Sequence, residues 1–167
     1  MIIIVFGVSG AGKTTVSELL GRKLGWRFIE ADDFHPAVNI EKMCSGHPLT
    51  DNDRWPWLHR LREQIERSLA AKEDAVLACS ALKRVYRDRL RVSDEVKFVF
   101  LRGDYSLIEK QLHRRRGHFM NSALLQSQFD DLEEPRPDEN VVTIEVRQTP
   151  ENIVEKIKEK LNLIGSA

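Results

Sequence analysis

Two cysteines are all that the 167-residue chain holds, Cys44 and Cys79. They make no C-x-x-C pair and sit in no His/Cys cluster, which excludes a disulfide framework and a zinc site and points to a reducing cytoplasm. Net charge is missing too: 26 Lys and Arg balance 26 Asp and Glu. That balance argues against a broad nucleic-acid or membrane surface and leaves only local clusters to explain. No apolar run approaches the roughly 20 residues of a membrane span, and no repeat or low-complexity segment breaks the chain. The apolar start, Met1 to Phe6, lacks a basic region and reads as a first strand rather than a signal peptide. What remains is the length and composition of one globular domain spanning residues 1–167.

Within it, Gly7, Val8, Ser9, Gly10, Ala11, Gly12, Lys13 and Thr14 match G-x-x-x-x-G-K-[ST], the phosphate-binding loop. The β-branched run Ile2 to Phe6 precedes it, and Val16, Leu19, Leu20 and Leu24 follow at helical spacing. Glycines let backbone N–H groups turn inward on a phosphate, and the helix start adds orphan N–H groups and the positive end of its dipole. Lys13 is expected to reach the β- and γ-phosphates of ATP, and the Thr14 hydroxyl to hold Mg²⁺. Thr15 completes the nucleotide-binding set.

Strands and helices alternate along the rest. Strands are expected at 26–31, 75–79, 96–101 and 141–146. Helices are expected at 13–24, 57–71, 82–92, 105–115, 122–132 and 150–161, with 36–53 irregular apart from a short helix near 40–44. The alternation calls for an α/β fold: a parallel five-stranded sheet with helices on both faces, three layers in all. Ligands in such sheets bind at the carboxyl ends of strands.

Strand two ends on Glu30 and Asp32, which strand periodicity would point the same way, with Asp33 facing away. One acid can hold Mg²⁺ through water and the other can deprotonate an attacking hydroxyl. An Asp-rich turn capping the next helix is the plainer alternative. Strand three ends on Cys79, read as a small buried hydrophobe, followed by Ser80 and Lys83. Lys83 and Arg87, four apart, are the pair best placed to grip an anionic substrate, although the basic run they belong to also suits a solvated helix face. A further basic group, His113 to His118, reads as a lid over about 114–125 that closes on the triphosphate, or else as a solvated helix end.

Several stretches together resemble the gluconate kinase family of small phosphate-loop kinases. They are the loop itself, Ala31 to Pro36 (ADDFHP), Asn39 to Met43 (NIEKM), Gly46 to Arg54 (GHPLTDNDR), Cys79 to Lys83 (CSALK), Gly117 to Met120 (GHFM) and Leu124 to Phe129 (LLQSQF). The resemblance covers nearly the whole chain. It implies a nucleoside-monophosphate-kinase-like fold with a lid, ATP- and Mg²⁺-dependent phosphorylation of D-gluconate at its 6-hydroxyl, and a homodimer. It also implies substrate-side roles for Asp32, His35, Lys42, Arg54, Ser80, Lys83, Tyr86, Arg87, His118 and Gln128. Asp32 would be the base and Lys13 the phosphate ligand, with Thr14 and Glu30 on the metal side. The family often has Asp at Glu30, Arg at Gln111 and Pro at Asn121; the adenine contact made by that arginine would either pass here to Arg115 or be lost. The residues alone leave a kinase for another small acid or nucleotide, such as shikimate, and a nucleotide-dependent binding switch open as well.

Overall fold

The computed structural model describes residues 1–114 and 122–163. Five strands form one parallel sheet in the order β2-β3-β1-β4-β5. They are β1 (Ile2–Phe6), β2 (Arg27–Glu30), β3 (Ala75–Cys79), β4 (Val96–Arg102) and β5 (Val142–Glu145). The helices are α1 (Lys13–Leu24), α2 (Ala37–Cys44), α3 (Asp51–Ala70), α4 (Arg84–Leu90), α5 (Tyr105–His113), α6 (Ser122–Asp131) and α7 (Pro150–Lys160).

Strand β1 lies at the centre, and its alternation divides the core. Ile2, Ile4 and Phe6 pack on one face with Trp57, Leu58, Leu61 and Ile65 of α3 and Tyr86 and Leu90 of α4. Ile3 and Val5 pack on the other with Val16 and Leu20 of α1 and Ile153, Val154 and Ile157 of α7. A side chain of this kind contributes about 1.5–3 kcal/mol when fully buried, so the sheet is held from both sides and a one-residue slip in β1 would exchange its two faces. The register aligns the strand ends: Phe6 pairs with Cys79 and with Phe100, and Glu30 with Ala78. The segments that follow β1, β2 and β3 therefore emerge at one edge.

Two departures from expectation matter at that edge. Helix α3 starts at Asp51, not after Pro56, because Thr50 and Asp53 form a capping box and two acids, Asp51 and Asp53, suit the positive helix end. Pro56 sits near the start and removes only one internal hydrogen bond. As a result Arg54 and Trp57 share the buried face of one helix. Residues 31–34 form a 3₁₀ turn rather than the end of a strand, so strand alternation does not set the direction of Asp32. Strand β3 lies between β2 and the phosphate loop's strand β1.

Arg87 is not a substrate grip. It is fully buried, and all its donors are spent. Nε and Nη2 bind Glu139, Nη1 donates to the carbonyls of Ala81 and Leu82, and Nη2 donates also to that of Glu133. The cation lies 4.9 Å from the Phe6 ring centre. Ala81 has a left-handed backbone (φ 39°), a conformation costing a non-glycine residue about 1–3 kcal/mol unless its surroundings enforce it. Arg87 supplies that enforcement, and the turn it holds carries Ser80. The helical spacing that paired Arg87 with Lys83 on a surface face failed because the guanidinium turns inward to a carboxylate 52 residues away in sequence.

Replacing Arg87 with Ala strands a buried Glu139 carboxylate and three carbonyls, so the urea unfolding free energy should fall by about 3–5 kcal/mol. Wild-type stability in Arg87→Ala, with only acceptor affinity reduced, would restore the surface-grip assignment.

Candidate active site

The phosphate loop joins β1 to α1. Gly10 and Gly12 take left-handed backbone angles (φ 85° and 93°). A Cβ on Gly10 would meet Leu112 Cγ at 2.6 Å, whereas one on Gly12 would meet nothing within 4 Å; there only the backbone angle requires glycine. The Lys13 ammonium donates to the carbonyls of Gly7 and Val8 at 2.9 and 3.0 Å, which places it over the loop. Thr14 donates from its hydroxyl to Glu30 Oε2 at 2.6 Å. Burial raises the Glu30 pKa, an effect the Thr14 bond partly offsets. Glycine-shaped backbone, a loop-straddling ammonium and a paired hydroxyl and carboxylate fit a nucleotide triphosphate and a hard divalent cation.

Beside the loop lies a cavity lined by Ser9 and Lys13, by Glu30, Asp32 and His35 after β2, by Arg54 and Trp57 of α3, by Ser80 after β3, and by Leu124, Ser127 and Gln128 of α6, with Met43, Pro48 and Leu49 closing it. Trp57 Nε1 donates to the Ala31 carbonyl at 2.7 Å and fixes the 3₁₀ turn. His35 stacks on the Trp57 ring at 4.3 Å and 13°. The Asn39 amide lies 3.2 Å from His35 Nδ1. An amide N–H must donate there, so the imidazole proton belongs on Nε2, 3.8 Å from Asp32 Oδ1. Burial lowers the His35 pKa against the opposing pull of Asp32, which keeps the ring neutral. The Asp32 side chain is 67% exposed and open to a ligand.

The cationic candidates separate by what they are bound to. Arg54 lines the cavity. It is held by the Tyr86 hydroxyl, 2.8 Å from Nη1, and by Asp131 of α6, 3.0 Å from Nη2, leaving its other N–H groups for a ligand. Tyr86 is buried away from the cavity lining and donates onward to Asp51, so it positions Arg54 instead of touching substrate. Lys83 is paired with Asp51 at 2.9 Å, and Lys42 with Asp53 at 2.6 Å; neither lines the cavity. The Lys42 ammonium and the Thr50 N–H hold the Asp53 carboxyl down at about 2. Gln128 is at the cavity and accepts the Ser9 N–H at 2.6 Å. Arg115, His118 and most of the expected lid over 114–125 lie outside the described residues, as does Asn121. Cys79 is buried, and burial pushes its thiol up to about 12, the inert small hydrophobe expected.

Trp57, Asn39 and Asp131 carried no expected site role. Trp57 had a signal in its place on the apolar stripe of α3; Asp131 had none, because only the folded chain brings it to Arg54, which is distant in sequence.

A family model described as an AAA domain matches residues 2–135. The chain is 44% identical to a gluconokinase from Gluconobacter oxydans (strain 621H) over 93% of its own length and 88% of the relative's. Among solved structures, it is similar to a sugar kinase from Janibacter sp. HTCC2649, unliganded (43% identity, TM-score 0.92, 98% of this chain and 95% of that one). It is also similar to a gluconokinase from Sinorhizobium meliloti 1021 (44% identity, TM-score 0.83, 98% and 96%).

Because His35 is held neutral, protonation favours the unfolded chain. Stability should fall as pH drops below the ordinary histidine value of 6.5 toward the lower folded value. Urea midpoints measured from pH 7.5 to 5.5 should fall less in His35→Asn than in the wild type. Equal slopes would show that His35 binds its proton as readily folded as unfolded.

Proposed function

The chain belongs to the gluconokinase family of phosphate-loop kinases, and on that premise we propose that it transfers the γ-phosphoryl group of ATP to the 6-hydroxyl of D-gluconate, giving 6-phospho-D-gluconate and ADP. The observation that carries the acceptor is one cavity, next to the phosphate loop, that holds a guanidinium, an open carboxylate and several neutral hydrogen-bonding groups together.

Gluconate is a linear polyol with a carboxylate at one end and a primary hydroxyl at the other. Arg54, held by Tyr86 and Asp131, takes the carboxylate end. His35 Nε2–H, Ser80 and Gln128 serve the hydroxyls between, and Asp32 serves the reacting end. Asp32 accepts the proton of the 6-hydroxyl as the oxygen attacks phosphorus, and later releases it to solvent. Lys13 leaves the Gly7 and Val8 carbonyls for the phosphate oxygens and stabilises the charge that grows as the bond to the leaving group breaks. Thr14, with Glu30 through water, would hold Mg²⁺, which would supply neutralisation of phosphate charge. The same reading takes the protein to work as a homodimer in the cytoplasm, a setting that two free cysteines suit.

ADP release measured across D-gluconate, glucose, shikimate and AMP should rise above the no-acceptor background with gluconate. Glucose should be poor, because it offers no carboxylate to the Arg54 N–H groups that Tyr86 and Asp131 do not hold. A rate with another acceptor and none with gluconate would overturn the substrate while leaving a kinase.

Asp32→Asn should stay folded and lose about 100-fold or more in turnover with gluconate, within the range for loss of a positioned general base. Near-normal turnover in that variant would remove Asp32 from the role of base.

A further inference from the structure

A second cleft draws on the same loop but on different residues of it. It runs from Gly10 and Thr15 out to Gln111, Val146, Gln148 and Pro150. Val146 and Pro150 give it apolar walls, and Gln148 adds a polar group at the connection between β5 and α7. If nucleotide phosphates lie on the loop and the acceptor fills the first cavity, this cleft, which adjoins the loop on its other side, can take the base.

The Gln148 side chain is tied to the backbone at the cleft's edge. Its Nε2 donates to the Glu145 carbonyl at 2.7 Å, and its backbone N–H donates to the Val146 carbonyl at 2.8 Å. Turning the amide over would set its oxygen against the Glu145 oxygen, two acceptors face to face. Oε1 has no partner among the described residues. A carboxamide tied in this way has an acceptor oxygen and a second N–H to offer. That pair complements the 6-amino group of adenine and the neighbouring ring nitrogen, the usual glutamine–adenine match. A 6-oxopurine brings an acceptor to the place where Oε1 needs a donor, and the flip that would accommodate it gives up the bond to Glu145.

The geometry points to Gln148 as the residue that selects adenine over 6-oxopurines in the nucleotide. This rests on the nucleotide-using kinase reading above and is independent of the acceptor. Position 111, where the family resemblance expects an arginine, is Gln111, and Arg114 also lines the cleft; the hydrogen-bonding match to the base falls to the amide of Gln148.

Calorimetric titration with ADP and with inosine 5′-diphosphate, in the absence of any acceptor, isolates the base. Inosine differs from adenine at the 6-position and lacks the 2-amino group that would complicate guanine. The wild type should bind ADP at least about tenfold more tightly than the inosine nucleotide. Gln148→Ala should bring the two affinities within about twofold, mainly by weakening ADP, with the far-UV spectrum unchanged because Thr149 still caps α7. Gln148→Leu should do the same, and serves if the alanine variant folds poorly. Equal affinities in the wild type, or an undiminished ratio in either folded variant, would overturn the assignment. Failure of the wild type to bind ADP would overturn it together with the nucleotide part of the kinase reading. Discrimination that follows Gln148 in a protein that does not phosphorylate gluconate would support Gln148 and reject only the acceptor.

Discussion

A glycine loop can cradle phosphate only if something other than the phosphate holds it in shape, and the rest of this fold follows from how that is done. Gly7 donates its N–H to the Ser80 carbonyl after β3. Lys13 reaches back to two loop carbonyls, and Thr14 ties the start of α1 to Glu30 at the end of β2. Gln128 of α6 takes the Ser9 N–H. The loop is thus anchored to the ends of two strands and to one helix. Those are the elements that bring Asp32, Ser80 and Gln128 to the acceptor cavity, so anchoring the loop and building the acceptor site are one arrangement.

Charge within the site is sorted by burial and pairing. Four cations were candidates for an anionic acceptor, and three are spent elsewhere: Lys42 on Asp53, Lys83 on Asp51, and Arg87 on Glu139 and three carbonyls. Arg54 is the one of the four that lines the cavity, and it arrives there already oriented by a phenol and a carboxylate. An arginine held in this way loses less freedom on meeting a carboxylate than a lysine on a flexible stem would. The spent cations still matter, because Arg87 braces the turn that carries Ser80 and Lys83 helps hold Asp51 against Tyr86.

Strands β1 and β3 were legible in the sequence because they are buried on both faces and read as unbroken apolar runs; β3 lies where the run from Ala75 to Cys79 places it. The phosphate loop was legible because its chemistry is local to eight residues. The start of α3 was hidden by Pro56, since the rule that proline breaks helices carries less weight within the first turns, where a capping box had already set the boundary. The roles of the basic residues were least legible. Whether an arginine faces substrate or braces the core depends on partners such as Glu139 and Asp131, which are distant in sequence and carry no local signal.

The central claim is that the acceptor lies with its carboxylate at Arg54 and its primary hydroxyl at Asp32, which makes the position of the new phosphate its most direct test. Incubating the protein with ATP, Mg²⁺ and gluconate labelled with ¹³C at carbon 6, and recording the carbon spectrum of the product, reads that position. The account predicts that the carbon-6 signal splits by coupling to phosphorus. A phosphorylated product whose carbon-6 signal stays unsplit would place another hydroxyl at Asp32 and contradict it.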